Sequence, residues 1–203
     1  MLVTCIAYTK GLQPWHITQA IENFASQSYA KSQLIIINNY DTLKQCQEIE
    51  IIHHRDLCII DRPGYSNGRA LLEALKMASG QTIAHYPLDH CHHLYRIQLG
   101  VELLERNGAA IIAPTRKWKW DGVPVIVEAE TNVVPELAIY KSPAYTDDYD
   151  IDYGAWWSYP LLAHEMGLDI IGTDDLLACQ LPKEKPTNKN YLEFLTQSMN
   201  VYR

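Results

Sequence analysis

The sequence predicts an α/β domain: a mixed, mostly parallel Rossmann-like sheet with helices on both faces. Three observations carry that prediction. Short β-rich runs alternate with helical stretches through the first 113 residues, the rhythm of strand–helix–strand crossovers. The run Leu34–Ile37 is apolar at every position, as a strand covered on both faces must be. Polar residues close each run, at Tyr8–Gly11, Asn38–Asp41, Asp61–Gly68 and Pro87–His93, and the carboxyl ends of parallel strands are where ligands bind in such sheets.

Each element has its own reason. Val3–Tyr8 is a short apolar strand, and Pro14 then suits a first helical turn, with Ile17, Ala20, Ile21, Phe24 and Ala25 at helical spacing. Leu34–Ile37 is the second strand. Asp41-Thr42 can cap a short helix near Leu43–Glu48. Asp56–Ile60 is a third strand, broken by Arg62-Pro63-Gly64. Asn67-Gly68 precedes a helix carrying Ala70, Leu71, Ala74, Leu75 and Ala78 on one face, with Gly80 at its C′ position. Thr82–Tyr86 is a fourth strand, Leu94–Arg106 a helix, and Ala109–Ala113 a fifth strand.

The second half changes character. Thr115–Gly122 reads as a Trp- and Lys-rich loop, and Val123–Val127 and Val134–Tyr140 as strands, antiparallel where they pair. An acidic, Tyr-rich stretch from Tyr145 to Tyr153 leads into a helix near Gly154–Met166, and Asp169–Ile171 is a short strand. Leu181–Asn188 reads as a linker before a terminal helix marked by Tyr191, Leu192, Leu195 and Met199. The expected organisation is one domain over 1–180, with halves 1–113 and 114–180, followed by linker and helix over 181–203.

Composition narrows the class. Hydrophobic residues make up 47% of the 203 and charged residues 20%, which excludes a disordered chain too poor in apolar surface to offset its entropy. Seventeen basic residues against 24 acidic give a net charge of −7, so no strong basic field draws in a polyanion. Thirteen Tyr and five Trp stand against two Phe, a choice that suits a wet, aromatic-lined cleft. The five cysteines are scattered without a C-x-x-C pair, as reduced thiols of a cytoplasmic protein would be. The N-terminus has neither the basic nor the apolar region of a signal peptide, and no apolar run is long enough to span a bilayer.

Several clusters carry chemistry, each with a plainer alternative. Asn38-Asn39-Tyr40-Asp41 can hydrogen-bond a base or ribose, or can simply form an Asx-turn. His85, Asp89, His90, Cys91, His92 and His93 crowd nine positions. Neighbours at a strand end point different ways, so all six cannot converge. One or two ligands completed by water or phosphate suit Mg²⁺ or Mn²⁺ better than a closed zinc site; the alternative is a polar loop with partly buried histidines. Asp147–Asp152 is either a solvated loop or the source of a general base facing a cleft. Arg116-Lys117-Trp118-Lys119-Trp120 is either a stacking platform or a hairpin with two Trp folded onto the core.

Together these pieces resemble the family 2 glycosyltransferases, which have a GT-A fold, over roughly Leu2 to Cys179. The first strand with Thr9 looks like that family's opening strand and turn. Gln27-Ser28-Tyr29 is similar to its "Q-S-Y" helix end, and Leu34–Asn39 to its "I-I-V-V-D-D" strand, with asparagines for the aspartates. Ala74–Ala84 follows its "G-L-x-x-A-x-G-E-Y-I-A" segment, and His164-Glu165-Met166-Gly167 resembles its "L-x-E-x-G". Departures fall on the chemistry. The D-x-D reads Pro87-Leu88-Asp89, keeping the second acid alone; the catalytic E-D falls on Ala155-Trp156; the later metal-ligand histidine falls near Cys179-Gln180.

The resemblance implies an inverting, metal-assisted transferase that moves a sugar from a nucleotide-diphosphate donor to a hydroxyl acceptor. Tyr8, Thr9, Asn39, Asp41 and Arg69 would meet the nucleotide. Asp89, with His90, would hold Mn²⁺ or Mg²⁺ on the diphosphate, and Asp152, or Asp150, would serve as base. The acceptor is a glycan, a small molecule or a modified DNA base, the last opposed by the net charge. The alternative is a binding module that keeps nucleotide or sugar affinity without transfer.

Overall fold

The computed structural model describes residues 1–9, 11–39, 56–120, 124–129, 135–141, 170–173 and 178–182. Its centre is a seven-stranded sheet in the order β10-β6-β9-β4-β1-β2-β3. The strands are β1 (Val3–Tyr8), β2 (Ser32–Asn38), β3 (Leu57–Asp61), β4 (Thr82–His85), β6 (Ile111–Pro114), β9 (Ile139–Lys141) and β10 (Ile170–Thr173). β1 pairs in parallel with β2 on one side and β4 on the other, β2 with β3, and β10 with β6. β9 runs antiparallel between β4 and β6, so the sheet is mixed but mostly parallel, as expected.

Alternation along the central strands builds two cores. Val3, Cys5 and Ala7 of β1 with Leu34 and Ile36 of β2 face α1 (Pro14–Ala25) and α3 (Arg96–Asn107), which contribute Ile17, Ala20, Ile21, Phe24, Ile97, Val101 and Leu104. Ile6, Ile35 and Ile37 face the other way, onto Ala70, Leu71 and Ala74 of α2 (Asn67–Met77). Helices thus cover both faces, which is why the central strands read as unbroken apolar runs. Burial pushes the thiols of Cys5 and Cys91 up to about 12, consistent with inert core cysteines.

A second sheet of four strands has the order β5-β11-β7-β8, with β5 (His90–His92), β7 (Arg116–Trp120), β8 (Pro124–Glu128) and β11 (Ala178–Gln180). Two expected loops are corrected here. Residues 116–120 form a strand, paired antiparallel with β8: Trp118 and Trp120 alternate with Lys117 and Lys119, and Trp120 is buried against Cys91 and Leu181. The hairpin with folded tryptophans is therefore what forms. Residues 90–92 are likewise a strand, paired antiparallel with β11.

Other boundaries move for local reasons. The α1 face turns so that His16 and Asn23 are buried, while Ala25 is exposed. α2 is capped by the Ser66 side chain, which accepts from the Arg69 amide. It ends at Ala78, so Gly80 is not its C′ residue. The expected strand 134–140 is a 3₁₀ turn over Pro135–Leu137 followed by β9. α3 does end on a left-handed glycine, Gly108, at φ 63°. The helices expected near 43–48, near 154–166 and after residue 188, and the acidic Tyr-rich stretch, lie outside the described residues. Among those described, no helix is long and apolar enough to cross a membrane.

Gly80 instead serves close approach: its amide donates to Thr4 Oγ1 at 2.9 Å, and a Cβ there would stand 2.7 Å from the Thr4 backbone nitrogen and 2.8 Å from the Leu2 carbonyl. Backbone cannot retreat as a side-chain tip can. Gly80→Ala is expected to cost about 1–3 kcal/mol, the usual range for overpacking, read as a lowered midpoint in urea. An unchanged midpoint would show that the β1–β4 edge yields.

Candidate functional site

The order β3-β2-β1-β4 sends the chain from β1 to β2 on one side and later to β4 on the other. Loops leaving the carboxyl ends of β1 and β4 therefore diverge, and a crevice opens between them. Tyr8 and Thr9 end β1, Asn38 and Asn39 end β2, Asp61 ends β3, and Tyr86 to His93 follow β4.

On the β2–β3 side, buried amides tie the strand ends together. Thr9 Oγ1 donates to Asn38 Oδ1 at 2.9 Å, and the Thr9 amide donates to Asn39 Oδ1 at 3.2 Å. Asn38 Nδ2 donates to Asp61 Oδ1 at 2.7 Å. Asn39 Nδ2 donates to the Tyr65 carbonyl and to Asn67 Oδ1, at 3.2 and 3.1 Å. Thr9, Asn38 and Asn39 are all buried. Both polar atoms of Asn39, expected at the nucleotide, are thus occupied in joining β1 and β2 to the start of α2. Arg69 is exposed on the first turn of that helix, its guanidinium 4.1 Å from the centre of the Tyr65 ring. Tyr8 is half-buried. Asp41 lies outside the described residues.

On the β4 side, the loop carries Asp89, whose side chain is 31% exposed, and whose Oδ1 meets His90 Nδ1 at 2.8 Å. Burial opposes ionisation of Asp89. The charge and hydrogen bond of His90, and then His16, outweigh it and hold the carboxyl well below its ordinary value. His90 itself is buried, and its Nε2 has no hydrogen-bond partner. The ring faces inward, which suits orienting Asp89 rather than reaching a cation in the crevice.

The other members of the histidine cluster disperse. His85 sits on the opposite sheet face, its Nε2 3.2 Å from the Tyr140 hydroxyl. His92 is buried, its Nε2 donating to the Pro87 carbonyl at 3.1 Å, and burial above all keeps it neutral. Cys91 packs under Trp120. Among the described residues no three metal-ligating side chains gather, in line with strand-end neighbours pointing apart.

Two groups missed in the sequence complete this side. His16 Nε2 bonds the Pro182 carbonyl at 2.9 Å, Trp15 stacks on the same ring at 3.9 Å, and Leu181 donates its amide to the Asp89 carbonyl at 2.7 Å. Leu181, expected to open a linker, is buried in this cluster. Gln180 stands opposite His90 in the β11–β5 register, so the segment aligned with the family's later metal-ligand histidine does lie beside the Asp89 loop. Asn23 is the second group: a helix-disfavoured polar residue among apolar neighbours, which was the available signal.

A mixed, mostly parallel sheet, a crevice at the β1/β4 switch point and an acidic loop after β4 define a GT-A domain. The sequence model for "Glycosyl transferase family 2" matches residues 14–158, and the chain belongs to that family. No curated protein matches it. Solved structures of S. aureus TarS residues 1–349 share the fold. The structure without a named ligand gives a TM-score of 0.69 at 13% identity, covering 89% of this chain and 60% of that one. The complex with UDP-GlcNAc gives 0.71 at 14%, covering 92% and 60%, and the complex with UDP gives 0.68 at 12%, covering 99% and 65%. This chain therefore spans under two thirds of the length of those structures.

The bonds of Asn39 make its replacement a stability experiment. Asn39→Ala removes the donor to the Tyr65 carbonyl and to Asn67 Oδ1 and leaves the Thr9 amide only its bond to the Ile37 carbonyl at 3.2 Å, a loss of about 1–3 kcal/mol for buried groups. Urea unfolding should shift accordingly. A variant of unchanged midpoint would return Asn39 to a purely ligand-facing role.

Proposed function

We propose that this domain transfers a sugar, with inversion, from a nucleotide-diphosphate donor to a hydroxyl acceptor. The observation that carries the reading is the acid-depressed Asp89 held on the loop after β4, at the crevice of a chain in this family. That TarS structures hold UDP-GlcNAc and UDP makes uridine-diphosphate sugars the first donors to test. The nucleotide would enter against Tyr8, Arg69 and the amino end of α2, whose free amides favour phosphate. Thr9 and Asn39 would form the wall behind it, with Asp41 beside them.

Among the described residues, a divalent cation fits this site through Asp89. A carboxylate is the right donor for Mg²⁺ or Mn²⁺, and His90 keeps it ionised and oriented while remaining buried. Diphosphate oxygens and water would complete such a site, since Pro87 stands where the family's first acid would be. When bound, the cation would neutralise charge developing on the leaving diphosphate. The acceptor hydroxyl would attack the anomeric carbon and lose its proton to Asp152, or to Asp150. That assignment rests on the resemblance and on nearness to the expected helix start.

A non-transferring binding module is the second reading, favoured by one specific observation: the Pro87 carbonyl is taken up by His92, and among the described residues no further acid gathers with Asp89. Transfer and hydrolysis of a nucleotide-sugar panel, with and without Mn²⁺, separates the two. Turnover carries the enzyme reading; binding without turnover across a broad acceptor panel carries the module. A hydroxylated DNA acceptor belongs in that panel, although the net charge of −7 opposes it.

Asp89→Ala should abolish most cation-dependent UDP binding in calorimetry, and unchanged affinity would remove Asp89 from the site. The pH dependence has a defined sign. A carboxyl depressed in the folded state contributes stability above its unfolded value and loses it as pH falls through the folded one. UDP affinity should therefore persist as the solution is acidified through the ordinary carboxylate range. Asp89→Asn should remove part of the acid limb of the stability curve.

Asp152→Asn should fold and bind donor normally and lose transfer by roughly 10²–10⁴-fold, as for a missing general base. Full activity would move the role to Asp150.

A further inference from the structure

Asn23 projects from α1, buried, against the loop that follows β4. Its amide makes a reciprocal pair with the backbone of His92: Nδ2 donates to the His92 carbonyl at 2.8 Å, and Oδ1 accepts the His92 amide at 2.7 Å. The same Oδ1 accepts from the Tyr86 hydroxyl at 3.1 Å. Tyr86 and His92 are the two arms of the loop, and Asp89 lies between them. Just past the end of the helix, Gln27 Nε2 donates to the His93 carbonyl at 2.9 Å.

An asparagine in a helix interior is disfavoured, and a buried one is tolerated only when both ends of its amide are satisfied. Here both ends are bound to one short segment far away in sequence. Other side chains can fill the volume beside Ala20 and Phe24. An amide presents a donor and an acceptor side by side, as the N–H and C=O of a single residue require. On its other side the described hydrogen bonds to the loop are backbone ones, from the Leu181 amide and the β5–β11 pairing. The helix side is therefore where a side chain sets the height of the loop.

We propose that Asn23 is a positioning residue for the diphosphate subsite: it fixes the Tyr86–His93 loop so that Asp89 meets the cation–diphosphate group. The inference rests on the transferase or binding reading of the crevice. It predicts a selective defect. Contacts to the nucleoside would lie on the β2–β3 side and not depend on Asn23; the contact of the diphosphate with the Asp89-bound cation would.

The test uses Asn23→Ala and Asn23→Asp, the latter nearly isosteric but, when ionised, without the donor. The control is Ala20→Gly, which weakens the same helix and removes no hydrogen bond to the loop. UDP and uridine are titrated into the full chain with Mn²⁺ in calorimetry, and amide exchange is followed by mass spectrometry. Both Asn23 variants should lose UDP affinity by roughly 10–100-fold, the range for removing an outer partner of a metal ligand. Uridine affinity should hold, and exchange should rise in segment 86–93 ahead of the rest of the domain. Ala20→Gly should leave UDP affinity unchanged. Equal loss of UDP and uridine affinity, or a UDP defect matched by Ala20→Gly, overturns the proposal. If the unmodified protein binds no UDP, the reading of the crevice fails instead. Exchange then decides the rest: selective opening of 86–93 supports Asn23 as its anchor, and uniform opening refutes it.

Discussion

The crevice depends on one constraint: β1 lies between two parallel neighbours reached by connections that leave in opposite directions. Had β4 paired beyond β3, the loops after β1 and β4 would run side by side and cover the strand ends. With β4 on the far side, the Asn38–Asn39 corner and the Asp89 loop face each other across Tyr8 and Thr9. The core makes that order obligatory. Both faces of β1 are buried under helices, α2 on one and α1 with α3 on the other, so β1 cannot move to an edge without exposing Ile6 or Cys5.

That constraint creates a second problem, and buried amides answer it. Parallel strand ends separate as the sheet twists, which leaves carbonyls and amides in a region where water is largely excluded. Thr9, Asn38 and Asn39 close the gap on the β2 side, and Asn23 closes it on the β4 side. Asn38, Asn39 and Asn23 each donate and accept at once through one short side chain. Their hydrogen bonds stabilise little in net terms but would be costly to leave unmade. The polar residues at the strand ends therefore fall into two groups. Those with satisfied, buried side chains form the frame; Asp89, Arg69 and Tyr8 keep some exposure.

The same division explains what was legible in the sequence. Period and composition marked β1, α1, β2, β3, α2, β4 and α3, because each of these elements buries a continuous apolar face; the GT-A resemblance came from short motifs such as Gln27-Ser28-Tyr29. Of the second sheet only β8 was legible. β5 is three residues long and β11 three, and their pairing, Cys179 with Cys91 and Gln180 with His90, joins segments almost ninety positions apart without any local pattern. β7 hid behind its lysines, one of which, Lys117, is bridged to Glu136 at 2.6 Å. At the site, residue type announced polarity but not direction. Asn39 and Asp89 look alike as strand-end polar residues, yet Asn39 is buried and Asp89 keeps 31% of its side chain exposed. Nothing in the sequence marks the His90 Nε2 as buried.

Arg96 shows how far the frame extends beneath the site. It is fully buried at the start of α3, without an ion pair among the described residues, and burial lowers its pKa. One terminal nitrogen donates to the His85 carbonyl at 2.6 Å and to the Leu137 carbonyl at 3.1 Å; the other has no partner. His85 is the last residue of β4, and Leu137 closes the 3₁₀ turn that leads into β9. A single guanidinium thus joins the strand that launches the Asp89 loop to the one strand that runs against the others. An apolar residue would give up both bonds, one of them at the strand end from which the loop departs. The antiparallel insertion of β9 and the direction of the acidic loop are for that reason one structural decision, made at Arg96.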